Sequence, residues 1–438
     1  MYFIHLIFQV IYNVSMDFVE HLKSFLPDDE VKKLLLSMEE KDHHAVLLNT
    51  IKISDEEFLK EFPNVIPHPY VKHAYLYDKD EYPLGKHIYH ELGYYYLQEP
   101  SAMIVSSIID FKENDLVLDL CAAPGGKTIQ AALKMNGKGL IISNDLSNQR
   151  AGLISNNVER LGLRNVLITN NDFSNIYSNY LNAFDKIILD APCSGSGMFR
   201  KGDIYKDDWS INKVYKFAEI QKELISYCYK MLKPGGLLSY STCSYSKEED
   251  EDVVSYLLDS SDAYVEDINL KNGYITLGIR LMPSHFTGEG QYICHIRKPG
   301  ISGETKFSNN NKFTQYVVNS FKTMDAQKYG DFLFTLSNNF DTKKLRVVRY
   351  GVKVGEIGKD YFKYDLHYAR CLNKKDEFPT LELTLEEVKN YLEGNQLNKK
   401  NKNKGSVLLT YKDNPIDIAK TDGIVVKNHY PKGLRKKF

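Results

Sequence analysis

Residues 116–128 read Leu116-Val117-Leu118-Asp119-Leu120-Cys121-Ala122-Ala123-Pro124-Gly125-Gly126-Lys127-Thr128. A short apolar run ends in an acid, passes through a Gly-rich turn and enters a segment with helical spacing. Such a junction is where an open α/β sheet binds its ligand, because strand ends and free helix N–H groups face one crevice. Four more apolar runs lie downstream, at 139–145, 165–172, 185–192 and 235–242, with helical spacing at 127–136, 148–162 and 213–232. Short apolar strands alternating with helices predict a doubly wound parallel sheet covered on both faces. A further strand at 291–298 is expected to close its edge.

The Gly-rich turn excludes two common ligands. A phosphate-cradling loop needs G-x-x-x-x-G-K-[ST]; Gly126-Lys127-Thr128 fits its end, but Cys121 stands where the first Gly belongs. A G-x-G-x-x-G dinucleotide fingerprint is absent. S-adenosylmethionine needs only a tight turn and acids for its ribose and base. Asp145 ends the second predicted strand, where a carboxylate accepts ribose hydroxyl protons, and Asp172 ends the third, within reach of an adenine amino group. The competing reading of each acid is a cap on the following helix. Three acids at consecutive strand ends favour the ligand.

The fourth predicted strand ends Asp190-Ala191-Pro192-Cys193 and the fifth Ser241-Thr242-Cys243-Ser244. An amino-group methylase would carry [DN]-P-P-[YF] there. Two cysteines suit carbon-5 methylation of a pyrimidine: a thiolate adds to carbon 6, carbon 5 becomes nucleophilic, and a base later removes its proton. Asp190 is placed to manage ring nitrogen 3. The residues by themselves leave open which cysteine attacks.

At this point a resemblance becomes specific. YLQEPSAM (96–103), DLCAAPGGKT (119–128), DAPCSGSGMFRK (190–201) and STCSYSKEEDE (241–251) resemble, in order, the Nol/Nop/Sun family of RNA cytosine-5 methyltransferases. The resemblance implies a Rossmann-like S-adenosylmethionine domain. It assigns cofactor contacts to Cys121, Ala122, Ala123, Pro124, Gly125, Gly126, Lys127, Asp145, Asp172 and Asp190, with catalysis by Cys243 as nucleophile, Cys193 in product release and Asp190. Residues 280–298 (RLMPSHFTGEGQYICHIRK) and 427–435 (KNHYPKGLR) are similar to the bacterial RsmF-like branch, which modifies 16S ribosomal RNA and carries a C-terminal PUA-like RNA-binding part. Two departures stand out. Ser284 separates Pro283 from His285, and the acids at 249–252 lack the usual Asn; neither is expected to touch the chemistry.

Composition agrees with a globular, reduced protein. Of 438 residues 43% are hydrophobic and 26% charged, which excludes a disordered chain, and six cysteines lie singly without a C-x-x-C pair. No metal site, membrane span or oligomer is expected, and the location expected is cytoplasmic. The net charge of −1 hides an asymmetry: residues 301–438 hold 26 Lys and Arg against 16 Asp and Glu, and residues 1–300 hold 30 against 41. The basic end is expected to meet RNA, with Tyr430 among its lysines as an aromatic stack. The expected domains are a start-site extension at 1–15, an N-terminal α+β domain at 16–95, the methyltransferase sheet at 96–300 and a C-terminal α+β PUA-like RNA-binding region at 301–438, entered through a linker near 302–312. The first choice of substrate is 16S ribosomal RNA or the small-subunit particle, and transfer RNA is second. A non-catalytic ribosome-assembly factor would have lost a cysteine or strand-end acid, and all are present.

Overall fold

The computed structural model describes residues 15–438, apart from 302, 304, 306, 308–313, 320, 321, 339, 343, 360 and 373–377. The expected start-site extension, apart from Ser15, and most of the linker lie outside the described residues.

Residues 17–40 carry apolar side chains at helical spacing and form two helices, Met16–Lys23 and Asp28–Ser37. Pro27 separates them, because its ring cannot continue the preceding helix. Ser15 caps the first by accepting from Phe18 N. Phe18 is wholly buried and meets Trp209 edge-on at 5.0 Å, which fastens the pair to the loop after the fourth strand of the main sheet. A four-stranded antiparallel sheet follows, ordered Ile66–Pro67, Ala74–Tyr77, His44–Leu48, Tyr95–Gln98.

The main sheet holds β1 (Leu116–Asp119), β2 (Leu140–Asn144), β3 (Val166–Thr169), β4 (Phe184–Asp190), β5 (Leu232–Thr242), β6 (Ile279–Leu281) and β7 (Gln291–Arg297). Strands β5-β4-β1-β2-β3 are parallel neighbours, joined through α1 (Gly126–Lys134), α2 (Asn148–Leu161) and α3 (Ile211–Met231). Alternation within each strand builds two cores. Val117, Ile141 and Ile188 pack on one face; Leu118, Ile142, Ile187 and Leu189 pack on the other.

The expected edge strand is corrected. β7 runs antiparallel between β5 and β6, inside a mixed sheet. The outer strands are Tyr274–Ile275 at one side and Val347–Tyr350 at the other. The latter comes from the basic C-terminal region and pairs antiparallel with β3. Burial explains both results, since β7 is apolar along most of its length and Tyr350 covers the flank of β3.

The C-terminal region forms two five-stranded sheets. One runs Thr314–Asn319, Lys322–Tyr329, Phe332–Thr335, Val352–Ile357, Phe362–Tyr364. The other runs Thr380–Glu382, Gly405–Tyr411, Asn414–Thr421, Val425–Lys427, Leu397–Asn398, beside the helix Leu385–Glu393. The Asn/Lys-rich stretch at 395–405 contributes a short strand, Leu397–Asn398. Tyr430 departs from its expected role as well. It is 1% exposed and its phenol donates to Glu91 at 2.7 Å, so it docks the C-terminal domain on the N-terminal one and offers no stacking face. Among the described residues no helix is long and apolar enough to cross a membrane.

Candidate active site

β1 ends at Asp119, and the loop beyond it folds over the ends of β2 and β4. Ala122 N donates to Asn144 O at 2.8 Å, and Gly125 N to Ala122 O at 2.7 Å. Gly125 stands at φ +111°, where a side chain is strained, and a Cβ on Gly126 would lie 2.8 Å from the Gln98 amide. The two glycines therefore keep bare backbone at the start of α1. Thr128, one turn in, donates to Asp119 Oδ2 at 2.7 Å. The other carboxylate oxygen, Oδ1, is buried without a hydrogen-bond partner, and burial lifts the carboxyl to about 7. Burial pushes the Cys121 thiol well above its ordinary range.

Asp145 follows β2 and is nearly buried. Oδ1 accepts from Ser147 N at 2.9 Å, Oδ2 accepts from Ala123 N at 3.3 Å, and Arg150 stands 3.6 Å away. It therefore touches the Gly-rich loop directly. Asp172 lies three residues beyond β3, is exposed, and caps the helix Phe173–Asn179 by accepting from Ser174 N at 2.9 Å. Its cap role is on view; its link to the loop is not.

Asp190 at the end of β4 is held from three sides. Lys127 donates to Oδ2 at 2.7 Å, and Ser241 and Gln291 donate to Oδ1 at 2.7 and 2.9 Å. Burial opposes the Lys127 charge, but the attraction of Asp190 outweighs it and the ammonium is held above its usual range. Asp119 and, less strongly, Cys243 add to that attraction.

β4 and β5 are parallel neighbours with Asp190 opposite Ser241, and the loops beyond them bring Cys193 Sγ to 3.0 Å from Cys243 Sγ. Both cysteines are free. The adjacent Cys243 sulfur, with burial second, holds the Cys193 thiol well above its ordinary range. The two sulfurs share an S–H···S contact in which either one can donate.

One acid of the 249–252 departure lies beside the neighbours of the two cysteines. Glu249 is wholly buried and accepts from Ser194 N at 2.7 Å, Ser194 Oγ at 2.5 Å, Ser244 Oγ at 2.6 Å and Gln221 Nε2 at 3.1 Å. One carboxylate thus ties the residue after Cys193 to the residue after Cys243. Asp250 accepts from Thr242 Oγ1 at 2.5 Å and pairs with Arg280 at 3.1 Å. Sequence reading missed Glu249, Ser241 and Gln291. An acidic run reads as a solvated face, and only the closeness of Glu249 to the Thr-Cys motif could have marked it.

With this geometry in view, the comparisons are specific. Residues 106–297 match the family described as 16S rRNA methyltransferase RsmB/F, residues 14–100 the N-terminal domain of 16S rRNA methyltransferase RsmF, and residues 378–436 the methyltransferase RsmF PUA domain. A ribosomal RNA small subunit methyltransferase F from Vibrio campbellii is 30% identical over 95% of this chain and 96% of its own. The chain belongs to this family. A second relative of the same name, from Vibrio vulnificus, is 28% identical over 95% and 96%. Among solved structures, a methyltransferase homologue from Pyrococcus horikoshii is 29% identical with a TM-score of 0.56, over 62% of this chain and 91% of its own. NSun6 from the same organism, solved with SFG, shares the fold at 22% identity, with a TM-score of 0.60 over 68% of this chain and 100% of its own. The family is of the S-adenosylmethionine-dependent kind. The Rossmann-like methyltransferase sheet between an N-terminal domain and a PUA domain is the architecture expected from the sequence.

Proposed function

We propose that this protein methylates carbon 5 of a cytosine in 16S ribosomal RNA, with Cys243 as nucleophile and Cys193 in release of the product. The observation that carries the reading is the thiol pair, 3.0 Å apart at the ends of adjacent strands and beside the Lys127–Asp190 ion pair. The 16S target rests on the descriptions of the matching families, and the relatives' names give ribosomal RNA of the small subunit. Cytoplasmic location and a monomeric state are part of the same proposal.

The residues fit S-adenosylmethionine. Asp119 Oδ1 is buried and lacks a donor, and Gly125 and Gly126 leave backbone bare beside it. Ala122 to Lys127, Asp145 and Asp190 would hold the cofactor, and Asp172 is assigned the adenine. When bound, the cofactor supplies an electrophilic methyl group.

The two sulfurs are in S–H···S contact, and loss of one proton from the pair to solvent leaves Cys243 as the attacking thiolate, with Cys193 as its thiol partner. Its thiolate forms a bond to carbon 6, and the ring's electrons move toward carbon 5 and nitrogen 3. The proton that nitrogen 3 then needs is available across the Lys127–Asp190 bond. After carbon 5 is methylated, a general base or water takes its hydrogen as a proton, the C–H electrons re-form the carbon 5–carbon 6 double bond, and the Cys243 sulfur departs with its bonding pair. Cys193 is suited to take part in that step. The contact with Cys243 is the main cause of its raised pKa, and thioether formation removes it. The target base must leave its stack to reach these groups.

The test incubates purified protein with methyl-labelled S-adenosylmethionine and 16S ribosomal RNA, small-subunit particles or transfer RNA. Nuclease digestion and mass spectrometry should then find label as 5-methylcytosine in 16S RNA. Label on another base, or only in transfer RNA, overturns the reading.

A further inference from the structure

The burial of Tyr430 and the Lys436–Glu91 pair at 2.7 Å occupy the residues from which an RNA contact was expected. A second place in the C-terminal region combines exposed aromatic and cationic groups. A groove of about 180 Å³ lies between the strand Phe362–Tyr364 and the PUA strands Gly405–Tyr411 and Asn414–Thr421, lined in part by Tyr361, Lys363, Ser406, Lys420 and His429. No acid lines it.

Tyr361 is 56% exposed, and its backbone carbonyl accepts from Gly358 N at 2.8 Å. A Cβ on Gly358 would lie 2.2 Å from the Tyr361 ring, so glycine there lets the ring rest on the turn. Three lysines, Lys420, Lys363 and Lys427, all exposed, are near enough to hold the His429 imidazole below its ordinary range, with burial the larger cause. Among the described residues none of the three makes an ion pair within 4 Å. Glu356 stands opposite Lys363 in register, and Asp422 near Lys427 is occupied by the backbone N–H groups of Ile424 and Val425. Converging unpaired cations around a held, exposed ring form the pattern that binds phosphates on either side of a stacked base.

We infer that this groove binds a single-stranded segment of RNA, with Tyr361 stacking on one base and Lys363, Lys420 and Lys427 contacting the flanking phosphates. The inference rests on the RNA-methyltransferase reading for its ligand class and adds the residues of a second RNA contact, on the C-terminal region. A single strand is favoured over a duplex because a splayed base is needed to cover the Tyr361 ring.

The test uses the full-length protein, a labelled single-stranded RNA oligonucleotide and a salt series, with methyl transfer and S-adenosylmethionine affinity measured on the same preparations. Tyr361→Ala should weaken oligonucleotide binding roughly 5- to 150-fold, the loss of one stacked base, and Tyr361→Phe should restore it. The double variant Lys363→Ala, Lys420→Ala should lower the slope of log affinity against log salt by about 1.4, or about 0.7 per phosphate contact. All variants should keep wild-type cofactor affinity and, at saturating RNA, wild-type kcat. Unchanged binding by Tyr361→Ala, failure of Tyr361→Phe to rescue, or an unchanged salt slope overturns the groove. So does an equal loss of affinity for polyglutamate, which would mark a general polyanion surface. Wild-type protein that binds the oligonucleotide but makes no 5-methylcytosine refutes the proposed reaction and leaves the groove standing.

Discussion

Cys193 Sγ lies 3.0 Å from Cys243 Sγ, although 50 residues separate them in the chain. A contact this close makes each thiol's proton depend on the other, and it gives the two substitutions different outcomes. Cys243→Ala removes the proposed nucleophile and should abolish both methyl transfer and covalent RNA adduct. Cys193→Ala should still attack but stall in release, so that protein accumulates on RNA through a bond resistant to denaturant. Denaturing gels of each variant with RNA and cofactor read this directly. An adduct with Cys243→Ala and none with Cys193→Ala would exchange the two roles.

Glu249 acts on the same pair from behind, through Ser194 and Ser244. Four donors converge on its carboxylate, and an amide brings a donor of its own into that cluster. Glu249→Gln should therefore shift the cysteine loops and lower kcat by about 10- to 100-fold, while cofactor affinity and the KM for RNA stay near wild type. Glu249→Ala leaves buried donors unpaired and should also cost stability, about 1–3 kcal/mol per donor. Glu249→Gln with full kcat would reduce the clamp to a packing feature.

Asp119 supplies a pH dependence. Its folded carboxyl titrates near 7 against about 3.9 in an unfolded chain, so the folded state retains a proton that the unfolded state has released. The stability this confers is complete below about pH 4 and is lost as pH rises toward 7. A shift of about three units corresponds to a loss on the order of 4 kcal/mol. Denaturant titrations at pH 5 and pH 8 should show a larger fall for wild type than for Asp119→Asn, which still accepts from Thr128. Parallel falls for the two proteins would locate the dependence elsewhere.

The C-terminal region cannot be removed at residue 300 without damage to the methyltransferase sheet. Arg349, in the strand paired with β3, binds Ser155 and Glu159 of α2 at 2.6 Å each, and Tyr350 and Phe340 complete one of the two cores. Loss of two such side chains amounts to about 3–6 kcal/mol and leaves β3 as a bare edge. Deletion of 301–438 should lower the melting midpoint by roughly 6 °C or more and raise binding of an apolar dye. A truncated protein with the full-length midpoint would contradict this account.

The sequence by itself determined the alternation of strands and helices, the glycine turn after β1 and the arrival of Cys193 and Cys243 at two strand ends. These features depend on side-chain periodicity and turn chemistry within a few residues, which the chain displays locally. Only the tertiary structure decided which polar groups do what. Asp172 and Glu249 are both acids near strand ends, yet one caps a helix in solvent while the other is buried among four donors. Tyr430 lies in a basic tail but meets Glu91, 339 positions away, and β7 is an inner strand because β6 covers its far side. Burial and register arise from contacts between distant segments. A short window of residues carries no record of which distant surface will close over it, and on that closure depend the carboxylate's charge, the thiol's proton and the tyrosine's availability to RNA.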